Sequence, residues 1–406
     1  MLMQIRIPQY IGLCWIGVVF ITTGCNSTTS IVKPTAPVPT ALVDAAQEVQ
    51  NTFAPDSRVA HFQAYFQPNG TRWVLKGETN LPAAKSALLQ NIAQLGIAMI
   101  DSLQLLPNIT VGEKTWAMAN NAVINLRYKP EHAAEMATQV LLGQLVQVLK
   151  AENYWYWVQT PDGYLAWVEG GALHRLTESG KKQYEAAPKI VYLRPFGFSF
   201  SQPDERSEPV SDLTAGNILI VTGEEGMFFR VNYPDGRMGF VSKTDVMAYD
   251  LWQTQTRATS VSLVETARRL MGVPYLWGGT SAKGVDCSGF TKTIYAINGL
   301  MLQRDASQQA REGILVDETG NFAKLQPGDL LFFGKKATPN SRERVIHVGM
   351  WIGEGRFIHS SSRVQINSMV PEQPDYSAYE HGRYLYSRRM LGHVPGVRLS
   401  VPAMSQ

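Results

Sequence analysis

Apolar positions recur along this chain with several different periods, and each marks a region. An apolar run from Ile11 to Ile21 follows Arg6 and ends at Thr22-Thr23-Gly24-Cys25. It is short for a membrane span and has the layout of an export signal over 1–24. The Ser-, Thr- and Pro-rich stretch that begins at Asn26 predicts a disordered tether, drawn over 25–50. Strand-like residues run from Val59 to Phe66. Leu88, Ile92, Leu95, Met99, Leu103 and Leu106 then recur at helical spacing, which predicts one amphipathic helix over 82–106 inside an N-terminal segment of 51–112. Gln90, Asn91, Gln94 and Asp101 rule that helix out as a membrane span.

The middle of the chain repeats itself. Val158-Gln159-Thr160-Pro161-Asp162-Gly163-Tyr164-Leu165-Ala166-Trp167-Val168 aligns with Val231-Asn232-Tyr233-Pro234-Asp235-Gly236-Arg237-Met238-Gly239-Phe240-Val241. Each copy reads as strand, Pro-Asp-Gly turn and strand, a hairpin signature. A glycine and an alternating apolar run precede each, from Gly143 and from Gly216. Short strands at this spacing fit small barrels, and the two copies resemble bacterial SH3-like domains, over 113–180 and 181–250. A polar stretch from Leu251 to Arg257 marks the next boundary. Val261, Val264, Ala267, Leu270 and Met271 then form a short helical face, with Ser260 as N-cap and Gly272 as stop. From there the pattern alternates helices and strands as an α+β domain would, over 251–395, with a tail of 396–406.

Charge and cysteine content narrow the function classes. The 406 residues carry 37 basic and 34 acidic side chains with no long basic run, which argues against nucleic acid as a partner. Of the three cysteines, Cys14 lies in the signal. Cys25 follows a small residue, as in a lipobox, where cleavage and lipidation would anchor the protein to a membrane; Thr22 stands where Leu is commonest, and an ordinary signal with an incidental Cys25 is the alternative. No clustered Cys and His spacing suggests a metal, and no cofactor is called for.

Cys287 therefore remains as the free thiol. It stands in Gly284-Val285-Asp286-Cys287-Ser288-Gly289-Phe290, ahead of an apolar-periodic helix. The first turn of a helix offers oriented N–H groups and a positive dipole end, which favour a thiolate. A thiol nucleophile needs a base to take and return its proton, and the base needs an orienting group. His347 and His359, each inside a strand-like run, suit those two roles; other polar groups can also orient a base. His61, His132, His174, His381 and His393 have no such context.

Around these residues lie Pro274-Tyr275-Leu276-Trp277-Gly278-Gly279, Arg304-Asp305-Ala306-Ser307-Gln308-Gln309, Leu325-Gln326-Pro327-Gly328-Asp329, His347-Val348-Gly349-Met350-Trp351-Ile352-Gly353 and Phe357-Ile358-His359-Ser360. In this order they resemble the NlpC/P60 family of cell-wall cysteine peptidases. The resemblance implies a multidomain chain with two small all-β SH3-like barrels and an α+β papain-like NlpC/P60 domain. It also implies cleavage of the γ-D-glutamyl–diamino acid bond of peptidoglycan stem peptides, with Cys287, His347, His359 and Tyr275 as catalytic groups. Tyr275 is either a hydroxyl donor to the oxyanion or a packed turn aromatic. Tandem barrels joined to this domain resemble the murein-recycling branch, whose members require a free N-terminal L-Ala. That implies Asp286 and Ser288 around the amine, Trp277 and Asp305 along the cleft, and Glu135 and Tyr164 from the first barrel. Glu135 as a solvated loop charge and Tyr164 as barrel packing are the plainer readings. Remodelling of intact wall, an amidase acting between sugar and L-Ala, and a non-catalytic wall-binding lipoprotein are the competing functions.

Overall fold

The computed structural model describes residues 37–397 and residue 399. The export signal, Cys25, the tether as far as residue 36 and most of the tail lie outside the described residues.

Order begins earlier than the composition suggested. Thr40–Phe53 is a helix. Leu42, Ala45 and Val49 fall on one face and are buried, so the stretch drawn as tether up to residue 50 is anchored by its own apolar stripe. That face packs on a small three-stranded sheet, Phe62–Asn69, Arg72–Thr79 and Met99–Leu105. The single helix expected over 82–106 is also corrected. The helix is Pro82–Gln94; Gly96 then takes φ +68° and ends it, and the chain returns as a strand parallel to Arg72–Thr79. Leu103 is buried from this strand, its spacing from Leu95 being fortuitous.

Two seven-stranded antiparallel sheets follow, built from strands between Trp116 and Leu176 and between Lys189 and Ala248. Read along the sheet, their strand orders match position for position. The two Pro-Asp-Gly segments form the hairpin turns, with Gly163 at φ +90° and Gly236 at φ +93°. The sheets are joined by Glu178–Ala186, capped by Thr177. Ile218 N–H to Leu142 O (2.9 Å), Asn217 Nδ2 to Ala122 O (2.8 Å) and Arg237 Nη2 to Asn120 O (2.9 Å) tie one region to the other, and Tyr184 Oη of the joining helix donates to Gly143 O (2.6 Å).

The polar stretch after the second sheet is a helix, Tyr249–Gln255, that buries Trp252. Thr259, not Ser260, caps the next helix, Ser260–Arg269. The nucleophile helix Cys287–Ile297 then packs on a six-stranded antiparallel sheet. Leu263, Ala267, Phe290, Ile294 and Tyr295 from the helices meet Leu330, Phe332, Val348, Met350 and Ile358 from the strands in one core. Residues from Arg344 to Gly353 and from Arg356 to Ser361 are adjacent strands of this sheet, so His347 and His359 arrive side by side next to the helix start.

The first sheet sits against this catalytic unit. Thr280 N–H donates to Gln139 Oε1 at 2.9 Å, and Asp162 of the Pro-Asp-Gly turn pairs with Lys292 of the nucleophile helix. Gly278, at φ +82°, passes so close to Met136 that a Cβ there would lie 2.5 Å from its carbonyl oxygen.

Candidate active site

Cys287 is the first residue of its helix, and Asp286 before it is the cap, accepting from Gly289 N–H at 2.7 Å. The remaining acceptor capacity of Asp286 is spent as well. Gly278 N–H donates at 2.9 Å, Arg304 donates through Nη2 at 2.6 Å and Nη1 at 3.2 Å, and Ser288 Oγ leans on it at 3.3 Å. Arg304 also donates to Ser288 Oγ at 3.1 Å. Asp286 and Ser288 are therefore internal to the turn that presents the cysteine. Both residues also line the cleft beside Cys287, the oxygens of Asp286 being already occupied by donors from the protein itself.

The thiol itself is buried. Burial, and then the charge of Asp286, push its pKa up to about 12, against smaller lowering effects from the backbone N–H groups of Val348 and Ser288 and from Arg304. Burial also drives His347 well below the ordinary imidazole range, with His359 and Arg383 adding to the effect. The resting pair is thus thiol and neutral imidazole. The helix start that led the sequence to suggest a standing thiolate is outweighed by desolvation.

The histidines form a chain of hydrogen bonds with a readable direction. Asn367 donates its amide N–H to Asp375 O at 3.1 Å, which turns its Oδ1 toward His359 Nε2 at 2.9 Å. An acceptor there puts the His359 proton on Nε2 and leaves Nδ1 as an acceptor. His347 Nε2 lies 2.7 Å from that Nδ1, so it carries the proton, and His347 Nδ1 keeps its lone pair. Behind the pair, buried Glu380 lies 3.8 Å from His347 Nε2 and is itself held by Arg383 through two bonds of 2.7 Å. Among the described residues, His347, His359 and Glu380 also form a group of three ligand atoms within 4.8 Å that could hold a divalent ion, although those atoms already serve one another and Arg383.

The cleft has two lobes that meet at Cys287. One, of about 500 Å³, is lined by Arg58, Tyr128, Met136, Tyr275, Trp277 and Asp305 among others. The second, of about 390 Å³, is lined by His347, Ser360, Ser361, Ser362 and Arg383. Tyr275 and Trp277 border both. Tyr275 is half-buried; burial first, and then the nearby Cys287 and Asp286, raise its pKa, so its hydroxyl stays a donor beside the thiol. Exposed Glu135 reaches across from the first sheet and accepts from Trp277 Nε1 at 2.6 Å. Tyr164 does not close the lobe. It is fully buried, with its hydroxyl 3.0 Å from that of Tyr128 and donating to Asp305 at 3.1 Å, and Tyr128 is the ring at the lobe surface.

Sequence reading missed Arg58, Tyr128, Asn367 and Glu380. Strand register places Asn367 opposite Phe357 and beside His359, and no local pattern signals a register. Arg304 lay in a block singled out from the sequence, without a role.

A thiol at a helix start, backed by an ordered imidazole pair on an antiparallel sheet and open to a two-lobed cleft, defines a cysteine hydrolase. Comparison with known proteins makes this specific. The NlpC/P60 family model matches residues 272–383, and the model of the bacterial dipeptidyl-peptidase Sh3 domain matches 126–173. A gamma-D-glutamyl-L-lysine dipeptidyl-peptidase of Bacillus cereus is 30% identical over 273 residues, 65% of this chain and 79% of the relative. One of the same name from Bacillus subtilis is 30% identical over 233 residues, 55% of this chain and 71% of that one. The crystal structure of an NlpC/P60 family protein from Bacillus cereus is 26% identical, covers 68% of this chain and 99% of its own, and superposes with a TM-score of 0.58. The chain belongs to the NlpC/P60 family and is a cysteine peptidase with an SH3-like domain beside its catalytic unit.

Proposed function

We propose that this peptidase hydrolyses the γ-D-glutamyl–diamino acid bond of peptidoglycan stem peptides, and that it acts on peptides whose N-terminal L-Ala is free. The names of the two Bacillus relatives support the bond. The observation that carries the reading is the position of the first sheet: Tyr128, Met136 and Ala137 wall the lobe beside Cys287, and Glu135 holds the Trp277 ring at its edge, leaving the lobe suited to a short peptide end. A second SH3-like barrel, in this reading, is the sheet between Lys189 and Ala248, whose strand order repeats the first.

The chemistry follows from the proton positions. His347 Nδ1 takes the proton of Cys287 as Sγ bonds to the D-glutamyl γ-carbonyl carbon. The oxyanion is met by the Cys287 backbone N–H and the Tyr275 hydroxyl. The C–N bond then breaks, the departing amine of the diamino acid takes the proton from His347, and a thioester remains. Water adds to the thioester as His347 accepts one of its protons. The C–S bond breaks, the leaving sulfur takes that proton back from His347, and the new carboxylic acid of the dipeptide gives its own proton to solvent. His359 keeps His347 in the required tautomer throughout. Export, with Cys25 lipidated at a membrane, completes the proposal.

Mass spectrometry of the purified chain with L-Ala-γ-D-Glu-diamino acid tripeptide, free and N-acylated, tests it, with Cys287→Ala as the blank. Release of L-Ala-γ-D-Glu from the free peptide alone is expected. Cleavage of both substrates would remove the free-amine requirement, and cleavage of neither would sink the assignment of the bond.

A further inference from the structure

The lobe of the cleft beside His347 has a charge character of its own. Of the described residues that line it, Arg383 alone carries a full charge at neutral pH, because burial holds both the Cys287 thiol and the His347 imidazole neutral. No carboxylate is among its lining residues. A ligand group that settles there from water is favoured if it is an anion and gains nothing if it is an ammonium.

Arg383 is held in place from several sides. It ends the short helix Ala378–Gly382, and its carbonyl accepts from Gly334 N–H at 2.8 Å. Its guanidinium stacks on the exposed ring of Tyr379, 4.5 Å from the centroid, while Nε and Nη2 fork onto buried Glu380 at 2.7 Å each. That fork uses one edge of the guanidinium plane. The next edge, formed by Nη1 and the other hydrogen of Nη2, has the same shape, and Nη1 makes no hydrogen bond among the described residues. Glu380 sits behind the imidazole pair and takes the Nε edge, so the Nη1 edge is the one left to the lobe that Arg383 lines. Ser361 and Ser362 stand on the same wall, and neither hydroxyl has a hydrogen-bond partner among the described residues. The backbone there is fixed, with Ser362 at φ +62° and its carbonyl accepting from Tyr275 N–H at 2.9 Å. A guanidinium edge with two hydroxyls beside it suits a carboxylate.

We propose that Arg383 is a specificity-determining residue that binds a carboxylate of the diamino acid on the leaving side of the scissile bond. This rests on the bond assigned above: if the first lobe takes the L-Ala-γ-D-Glu half, the second takes the residue whose amine departs. The α-carboxylate carbon of that residue is two bonds from the nitrogen that His347 protonates, and His347 and Arg383 share the lobe. A diaminopimelate side chain brings a second carboxylate within the same residue. The third residue is thus selected by an acid and not by its side-chain amine.

Steady-state kcat/KM on matched acids and amides tests this. The substrates are L-Ala-γ-D-Glu-L-Lys and its C-terminal carboxamide, and the diaminopimelate tripeptide amidated at its α-carboxyl, at its side-chain carboxyl or at neither. The wild-type chain is expected to lose about 10- to 100-fold on the amide that removes the bound carboxylate, the scale of hydrogen bonds to a charged group. Loss on both α-amides assigns the α-carboxylate, and loss on the side-chain amide assigns the other. In Arg383→Gln the penalty is expected to shrink below about threefold. That variant strands buried Glu380, so Arg383→Gln/Glu380→Gln is measured beside it, with the melting temperature of each. Acid and amide are compared within one enzyme, so a general loss of activity cancels. Equal wild-type kcat/KM on every acid and amide, or a penalty undiminished in both variants, overturns the inference and leaves the bond standing. A penalty for amidating the D-Glu α-carboxyl that Arg383→Gln relieves would put the acyl side at Arg383 and overturn it too. A wild-type chain that cleaves none of these peptides overturns the bond assignment and this inference with it.

Discussion

Asn367 shows how far the proton arrangement depends on groups that never meet substrate. Its amide is fixed by Asp375 O, and that orientation decides which nitrogen of His359, and then of His347, is protonated. Asn367→Leu removes the fixed acceptor, and kcat/KM is expected to fall roughly 100-fold, the lower end of what a general base contributes. The ¹⁵N shifts of the two imidazoles would report a mixture of tautomers; unchanged shifts would refute the relay. The lowered pKa of His347 sets the pH profile. His347 works only when neutral, so activity is expected to hold from neutral pH down past the ordinary imidazole value of 6.5 before its acid limb begins. Stability behaves otherwise. Burial keeps His347 and His359 neutral in the folded chain, whereas unfolding frees both to take up protons below 6.5. The melting temperature is therefore expected to be steady above that pH and to drop as pH falls through it, a loss that His359→Asn would reduce. Cys287, His347 and His359 were legible from the sequence because residue type and glycine punctuation surround them. The proton order was not, since it depends on which strand residues face each other.

At the scale of elements, legibility followed how local the determinant was. Both Pro-Asp-Gly turns could be read because four consecutive residues specify them, and Gly163 and Gly236 hold the backbone angles such turns require. The region 82–106 misled because leucine spacing there fits a helix, while Gly96 and a parallel partner strand decide otherwise. The helix Thr40–Phe53 was hidden by the Ser- and Pro-rich stretch before it. Gly278 serves both a tight turn and a close backbone approach. Gly278→Ala must strain a positive φ and push on Met136 O, and a loss of about 1–3 kcal/mol is expected. Calorimetry measures that loss. Because Glu135 is next to Met136, KM should rise alongside it; a variant with wild-type Tm and KM would show that the contact is slack.

For the whole molecule, the cleft is assembled from parts far apart in sequence: Arg58 from the N-terminal segment, Tyr128 and Met136 from the first sheet, Cys287 and His347 from the catalytic unit. No single region carries the site, so a reading of motifs found the nucleophile, the histidines and the walls given by Tyr275, Trp277 and Asp305, and left Arg58 and Tyr128 unseen. Distant packing should then register in catalysis. Leu42 is fully buried in the N-terminal core, and Leu42→Ala is expected to cost about 2–5 kcal/mol. If that core positions Arg58, the variant should also shift KM for the free tripeptide at temperatures well below its melting point; a shift in Tm alone would show the segment to be a passive support. The same arrangement bears on how such an enzyme can be born. A chain made from its N-terminus delivers Arg58 early and His347 far later, and no partial product has a finished cleft. Hydrolysis is thereby withheld until synthesis and folding are both complete, a safeguard written into the order of the parts along the chain.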